Sequence, residues 1–323
     1  MKKRFDRIII GLAAILAASA CLAQTPDWPT RPLRLVIGYP PGSSPDVTAR
    51  LLIDPLARAL GQPVVVENRP GAGGAIGTDA TAKATDGHTI GVAGNGPLTT
   101  AKLLNSKLAY DPTRDLAPLA IIGTSPLVWV TAKGATSAPV DIIAQARAAG
   151  DKLAYGSIGA GSGGHLGMEL IKEQLGLKAL HVPYPGGPQI LTAIIGGTIH
   201  MTLLPPSTVM PQVTAGRLEA IAVSSAKRSP LAPTLPSMEE VGAKGVDIEV
   251  WNAIVAPATL PAAHQARLSQ ELGRIIGSRE IRQALLLQGW KDGEPGAAAL
   301  ARRIQSDTRV YADLIAKKGI RTE

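Results

Sequence analysis

The chain has 323 residues and a formal net charge of +8, with 45% hydrophobic but only 3% aromatic residues. Scattered basic residues, few rings to stack on bases and no groove-reading motif argue against nucleic acid as a partner. Cys21 is the only cysteine, which excludes a disulfide framework and thiolate metal sites.

Met1 to Arg7 is basic, Ile8 to Ala20 is apolar and small residues follow, which is the three-part form of a secretory signal. The apolar stretch is short for a bilayer span. Cys21 to Ala23 before Gln24 offers an A-x-A-like cleavage site, so residues 1–23 are expected to leave and the product to be periplasmic. A lipoprotein anchored at Cys21 is the weaker reading, because Ala18 stands where a lipobox prefers leucine. Lys2, Lys3, Arg4 and Arg7 against Asp6 account for three units of the net charge of +8, leaving +5, a mild bias toward anions.

Leu33 to Ile37 reads as a strand, and Val47 to Leu60 has apolar residues at helical spacing, with Ser44 as its cap, Pro45 in the first turn and Asp46 complementing the dipole. Val64 to Glu67 is the next strand, Asn68 to Gly74 leads into a helix ending about Ala84, and Thr89 to Ala93 is a third strand. This β-α-β-α-β opening predicts a parallel, doubly wound sheet. From Leu119 to Thr131 two apolar runs are split by Gly123 to Pro126, and the pattern then restarts with helix 139–149, strand Leu153 to Tyr155, helix 166–175, strand Ala179 to Val182 and helix 187–196. Strands at 199–204 and 218–224, a proline-rich stretch after Lys227, strand Val250 to Ala256 and helices near 261–277, 279–288 and 296–318 finish the chain. The expected architecture is two α/β lobes, 24–126 plus 227–323 and 127–226, with hinges near 124–131 and 225–255 and a cleft between them.

Tyr39 to Asp46 and Tyr155 to His165 are glycine- and serine-rich, and each follows a strand and opens a helix. Small residues let a ligand approach the main chain, and the free N–H groups of a first helical turn favour negative charge. A carboxylate receptor is therefore the leading reading. Gly159 to Gly164 formally satisfies G-x-G-x-x-G, but Ala179 to Val182 stands where a ribose-binding acid is needed. Gly71 to Gly77 has the wrong glycine spacing for that motif and reads as a tight strand-to-helix turn, while Ala160 spoils a G-x-S-x-G nucleophile elbow around Ser162. His88, His165, His181, His200 and His264 form no metal spacing, so neither metal nor cofactor is expected. Asp111 and Asp115 read as turn residues, and nothing demands catalysis. An exported hydrolase using Ser43, Ser44 or Ser162 with His165 is the competing enzyme reading.

At these same residues the chain resembles the solute receptors of tripartite tricarboxylate transporters, the Bug-type receptors. The likeness includes Trp28 to Arg34, Pro41 to Asp46, the string from Gly61 to Gly74, Asp86-Gly87, Tyr110 to Pro112, Tyr155 to Ser157 with Gly161, Ser162 and His165, and His181 to Tyr184. The resemblance implies a monomeric, two-lobed periplasmic binding protein of type II, each lobe a mostly parallel sheet flanked by helices, that passes a small carboxylate to a membrane permease. A sensory receptor serving a signalling partner would look the same. Carried onto this chain, the ligand shell is Tyr39, Pro40, Ser43, Ser44 and Asp46 from the first loop, Asn95 after the third strand, Ser157, Gly161, Ser162 and His165 from the second loop, and Tyr184 and Gly186 along the wall. Ser43 stands where a second glycine is common, Pro185 where lysine is frequent, His200 where aspartate is common, and Pro205-Pro206 in a region often acidic. These departures point to a monocarboxylate or a weakly polar aromatic or aliphatic acid over citrate.

Overall fold

The structure is a computed structural model that describes residues 28–134 and 138–320. The expected signal segment, its cleavage site and Cys21 lie outside the described residues. In chain order the first elements are β1 (Leu33–Ile37), α1 (Ser44–Leu60), β2 (Val64–Asn68), α2 (Ala75–Ala82), β3 (Thr89–Gly94), α3 (Asn95–Leu98), α4 (Thr100–Leu104) and β4 (Leu116–Pro126). A second run follows: β5 (Val128–Ala132), α5 (Pro139–Ala149), β6 (Ala154–Ser157), α6 (Gly163–Leu175), β7 (Leu180–Pro183), α7 (Gly187–Ile195), β8 (Met201–Leu204), α8 (Pro206–Thr214) and β9 (Leu218–Val223). The chain closes with β10 (Glu249–Pro257), α9 (Ala262–Ile276), α10 (Arg279–Leu287), β11 (Lys291–Asp292) and α11 (Ala297–Lys318).

Among the described residues the strands form two mixed sheets, ordered β11-β4-β10-β3-β1-β2 and β7-β6-β8-β5-β9. β1 pairs in parallel with β2 and β3, and β6 with β7 and β8. One inner strand per sheet runs the other way: β10 between β4 and β3, and β5 between β8 and β9. Helices cover both sheets, and each sheet has its own core, around Leu35, Ile37, Leu52 and Leu272 in the first and Trp129, Tyr155, Met168 and Leu203 in the second.

The expected break at Gly123 to Pro126 is absent: β4 runs through these residues because β10 pairs along it from Pro257–Leu116 to Glu249–Pro126. A partner ladder on both sides outweighs the weak strand propensity of the glycine and proline. The interruption falls one residue later, at Leu127, where the chain crosses to the second sheet. Ser224 ties the crossings together. Its Oγ accepts the Leu127 N–H at 2.7 Å and donates to Ile248 O at 2.6 Å, while its carbonyl takes the Ile248 N–H at 3.0 Å. The stretch after Lys227 packs with the second core, through Met238, Ala243, Val246 and Ile248, so the chain returns to the first sheet at the start of β10.

Candidate ligand-binding cleft

The first loop turns at Gly42, whose φ of +77 suits glycine. The cap of α1 is Ser43 and not Ser44 as expected from the sequence; its hydroxyl does not accept from the helix but donates to Pro40 O at 2.6 Å. Asp46 faces back into its own loop. Its Oδ2 accepts the Gly42 N–H at 3.0 Å and Arg50 Nε at 2.8 Å, and its Oδ1 accepts Asn68 Nδ2 at 2.9 Å. Burial works to raise the Asp46 pKa, but hydrogen bonds from Arg50, Asn68 and the Gly42 N–H outweigh it and hold the carboxyl below its ordinary value. Asp46 thus shapes the loop, while Ser44 at the start of α1 lines the cavity between the sheets. Asp46→Ala should cost about 1–3 kcal/mol in urea unfolding, because it removes the acceptor of the Gly42 N–H and one of the two acceptors of Asn68 Nδ2, which keeps Tyr39 O; an unchanged midpoint would mean the loop keeps its shape without the carboxylate.

The second loop is built alike. Gly159 and Gly161 take positive φ, 127° and 77°, and Ser162 caps α6 by accepting the His165 N–H at 3.3 Å while donating to Gly159 O at 2.7 Å. Ser157 is fully buried, with its Oγ 2.7 Å from His181 Nε2. The hydroxyls of Ser157 and Ser162 are therefore engaged inside the loop. His165 stands behind it, its Nδ1 accepting the Gly161 N–H at 3.1 Å and its ring stacked on His181 at 4.1 Å between centroids. Burial lowers the His165 pKa, and burial together with His165 pushes His181 down to about 4. What this loop offers outward is the pair Gly163 and Gly164, first-turn residues of α6 whose N–H groups have no intrahelical carbonyl.

These two helix ends line one cavity of about 40 Å³ between the sheets, space for a few water-sized groups. From the first sheet come Tyr39, Ser43, Ser44, Pro45, Gly94, Asn95, Val250, Asn252 and Trp290, and from the second Ile158, Gly163, Gly164, Gly187, Leu203, Leu204, Pro205 and Thr208. No charged side chain lines it among the described residues. Asn95 and Asn252 are held from behind, by Tyr311 Oη at 3.3 Å and Thr48 Oγ1 at 3.1 Å. Of the expected shell, Tyr39, Ser43, Ser44 and Asn95 line the cavity. Pro40 and Gly186 meet at its rim, where a Cβ on Gly186 would lie 2.8 Å from Pro40 Cδ. Gly161 closes the far side, its carbonyl accepting Thr100 Oγ1 at 2.7 Å. Asp46, Ser157, Ser162, His165 and Tyr184 stand outside the lining. Asn252, Trp290, Val250, Leu203, Leu204 and Thr208 were not foreseen, although Asn252, a lone polar residue in an apolar strand, was a readable signal; Pro205, named from the sequence only as bearing on ligand choice, lines the cavity as well.

A nucleophilic constellation is not assembled by these groups. The Ser43 and Ser162 hydroxyls point at carbonyls, and Glu169, the carboxylate nearest the histidine pair, accepts Tyr155 Oη at 2.5 Å and Lys172 Nζ at 2.7 Å. Among the described residues no group of acids and histidines has metal-holding geometry, and no helix is long and apolar enough to cross a membrane.

The sequence profile described as the tripartite tricarboxylate transporter family receptor matches residues 48–320. BugT of Bordetella pertussis is 34% identical over 284 residues, 87% of either chain. A protein from the tcbD-tcbE intergenic region of Pseudomonas sp. strain P51 is 31% identical across 96% of this chain and 93% of its own. Among solved structures, R. palustris Rpa4515 with adipate superposes with a TM-score of 0.87 at 30% identity, covering 91% of this chain and 99% of that one. The periplasmic binding protein BugD gives 0.86 at 27%, covering 92% and 100%, and MatC of Rhodopseudomonas palustris with bound malate gives 0.83 at 26%, covering 89% and 100%. The chain belongs to the tripartite tricarboxylate transporter receptor family and is a solute-binding protein of the Bug type.

Proposed function

We propose that the protein captures a small carboxylate between its lobes in the periplasm and hands it, unchanged, to a membrane permease of the tripartite type. The observation that carries this reading is that the first turns of α1 and α6, one from each lobe, open onto the same cavity. A carboxylate between them accepts N–H groups of Gly163 and Gly164 on one side and the Ser44 hydroxyl and first-turn amide on the other. Each such charge-assisted bond contributes roughly 1.5–3 kcal/mol, and the helix dipoles add to it. The relatives solved with adipate and with malate support the ligand class. With no cationic side chain on the wall, further anionic groups of a ligand meet only hydroxyls and main chain, which favours an acid with an apolar body over a tricarboxylate. We place the lobes at 24–126 plus 249–323 and at 127–248, with the signal segment removed at Ala23.

A thermal-shift screen of mono-, di- and tricarboxylates on the mature chain tests this directly. A ligand at a hundred times its dissociation constant stabilises the fold by about 2.7 kcal/mol, a shift of a few degrees. Failure of every acid in a broad panel to move the midpoint would end the receptor reading.

A further inference from the structure

We infer that His165 is the positioning residue of the second ligand loop, its neutral Nδ1 holding the Gly161 peptide in the pose that closes on the first lobe. The inference rests on the receptor reading above, because it concerns the loop that cradles the ligand. Gly161 carries two bonds at once. Its N–H donates to His165 Nδ1 at 3.1 Å, and its carbonyl accepts Thr100 Oγ1, from α4 of the first lobe, at 2.7 Å. Its φ is +77, and a Cβ here would fall 2.6 Å from Leu104 Cδ1 and 2.7 Å from Thr100 Oγ1. The residue therefore has one way to sit, with the histidine holding the peptide before its Cα and the opposite lobe the carbonyl after it.

Nδ1 accepts a hydrogen bond only while it carries no proton. Once the ring is an imidazolium, a donor faces a donor, the Gly161 N–H loses its partner and the peptide must turn. The Thr100 bond across the cleft goes with it, and so does the alignment of Gly163 and Gly164 just beyond. The surroundings set the pH at which this happens. His181 on β7 stacks on the ring at 4.1 Å, Tyr155 on β6 lies 6.4 Å away, and Glu169 and Lys172 stand on α6 itself. Helix α4 presents the neutral Thr100, and β8 brings no titratable residue. Glu169 favours the charged ring, but its Oε1 already serves Tyr155 and Lys172, and burial lowers the His165 pKa from its ordinary 6.5. The closed, liganded state needs the neutral ring, so protons compete with ligand: binding is complete above the imidazole pKa and is lost as pH falls through it, on the acid side of the ordinary imidazole value because burial lowers it.

The test is titration calorimetry on the mature chain with adipate as the probe, from about pH 7.5 to about pH 5. Wild type should lose affinity progressively toward the acid end of that range, with one hydrogen bond broken, about tenfold, as the limit. His165→Leu, which has no acceptor, should bind weakly throughout. His165→Asn, which offers an uncharged oxygen near the place of Nδ1, should recover most of the affinity and flatten the profile. A flat wild-type profile, or a His165→Asn profile as steep as the wild type's, overturns the assignment. Nitrogen NMR of the imidazoles needs no ligand and should find His165 as the Nε2–H tautomer at about pH 7.5; an Nδ1–H tautomer overturns it too. A chain that bound no carboxylate yet kept this tautomer would defeat the receptor reading and leave His165 as the residue that sets the loop.

Discussion

Gly163→Val should abolish carboxylate binding, by more than about a hundredfold, and leave the fold in place. The residue opens α6 at the cavity, and a Cβ there would lie 2.4 Å from Val250 Cγ1, on a strand of the opposite lobe, and 3.7 Å from Asn95 Nδ2. A branched side chain therefore does two things. It covers the first-turn amides that would receive the ligand, and it props the lobes apart against β10. Loss of two charge-assisted hydrogen bonds at roughly 1.5 kcal/mol each corresponds to the hundredfold figure. Calorimetry with the best acid of the screen measures the first effect, and the radius of gyration from scattering measures the second. The steric origin can be separated from the electrostatic one. Gly163→Ala alone should weaken binding through the contact with Val250, and Val250→Ala in the same chain should restore much of it. Wild-type affinity in Gly163→Val would remove the α6 terminus from the site. Gly164 is the harsher neighbour: its Cβ would meet Leu203 O at 2.6 Å, a backbone atom that cannot rotate away, so its replacement damages the second lobe itself.

What the sequence made legible follows from which forces are local. The strands, the long helices and the two glycine-serine loops were readable because periodicity, capping residues and the family strings all act over a few positions. Side-chain direction was not. Ser43, Asp46, Ser157, Ser162 and His165 have the right chemistry for a ligand shell, yet all five aim their polar atoms into their own loops or neighbouring strands, Ser43 included, whose hydroxyl donates to Pro40 O. Short polar residues at a helix start satisfy orphan loop amides and carbonyls as readily as they bind ligand. Asp46 and His165 do the same job in the two lobes, each taking a loop glycine N–H, at 3.0 Å and 3.1 Å. Helix α8 was not foreseen; it holds Pro206 and Pro211, and proline fits the first turn, which Pro206 occupies. Asn252 and Trp290 reach the cleft through pairings between residues far apart in the chain, and no local pattern encodes those. The division of the lobes at 226/227 came from counting α/β units, whereas Met238 and Val246 pack in the core of the second sheet.

Trp290→Ala should give the largest loss of stability of any single change near the cleft, about 3–5 kcal/mol, because the ring is fully buried in the first core. Urea unfolding measures it, and a loss under 1 kcal/mol would show that the site collapses around the gap. The more informative change is Trp290→Phe. It keeps an aromatic ring in the core but removes the indole N–H, which donates to Ser207 Oγ of α8 at 3.2 Å, across from one lobe to the other. Its neighbour Gly289 crosses at the same place, where a Cβ would lie 2.6 Å from Pro206. A bond between lobes stabilises the closed form and contributes nothing to either lobe alone. The smaller ring should cost unfolding about 1–2 kcal/mol as a cavity, and losing the bond should shift closure by about 1 kcal/mol, a fivefold weaker apparent affinity. Ser207→Ala removes the acceptor of the same bond and should produce the same loss. In a double-mutant cycle the second change should then add almost nothing to the first. Two fully additive losses would mean that the indole and the hydroxyl act on binding separately, and that closure is held by the Thr100–Gly161 contact and the ligand itself.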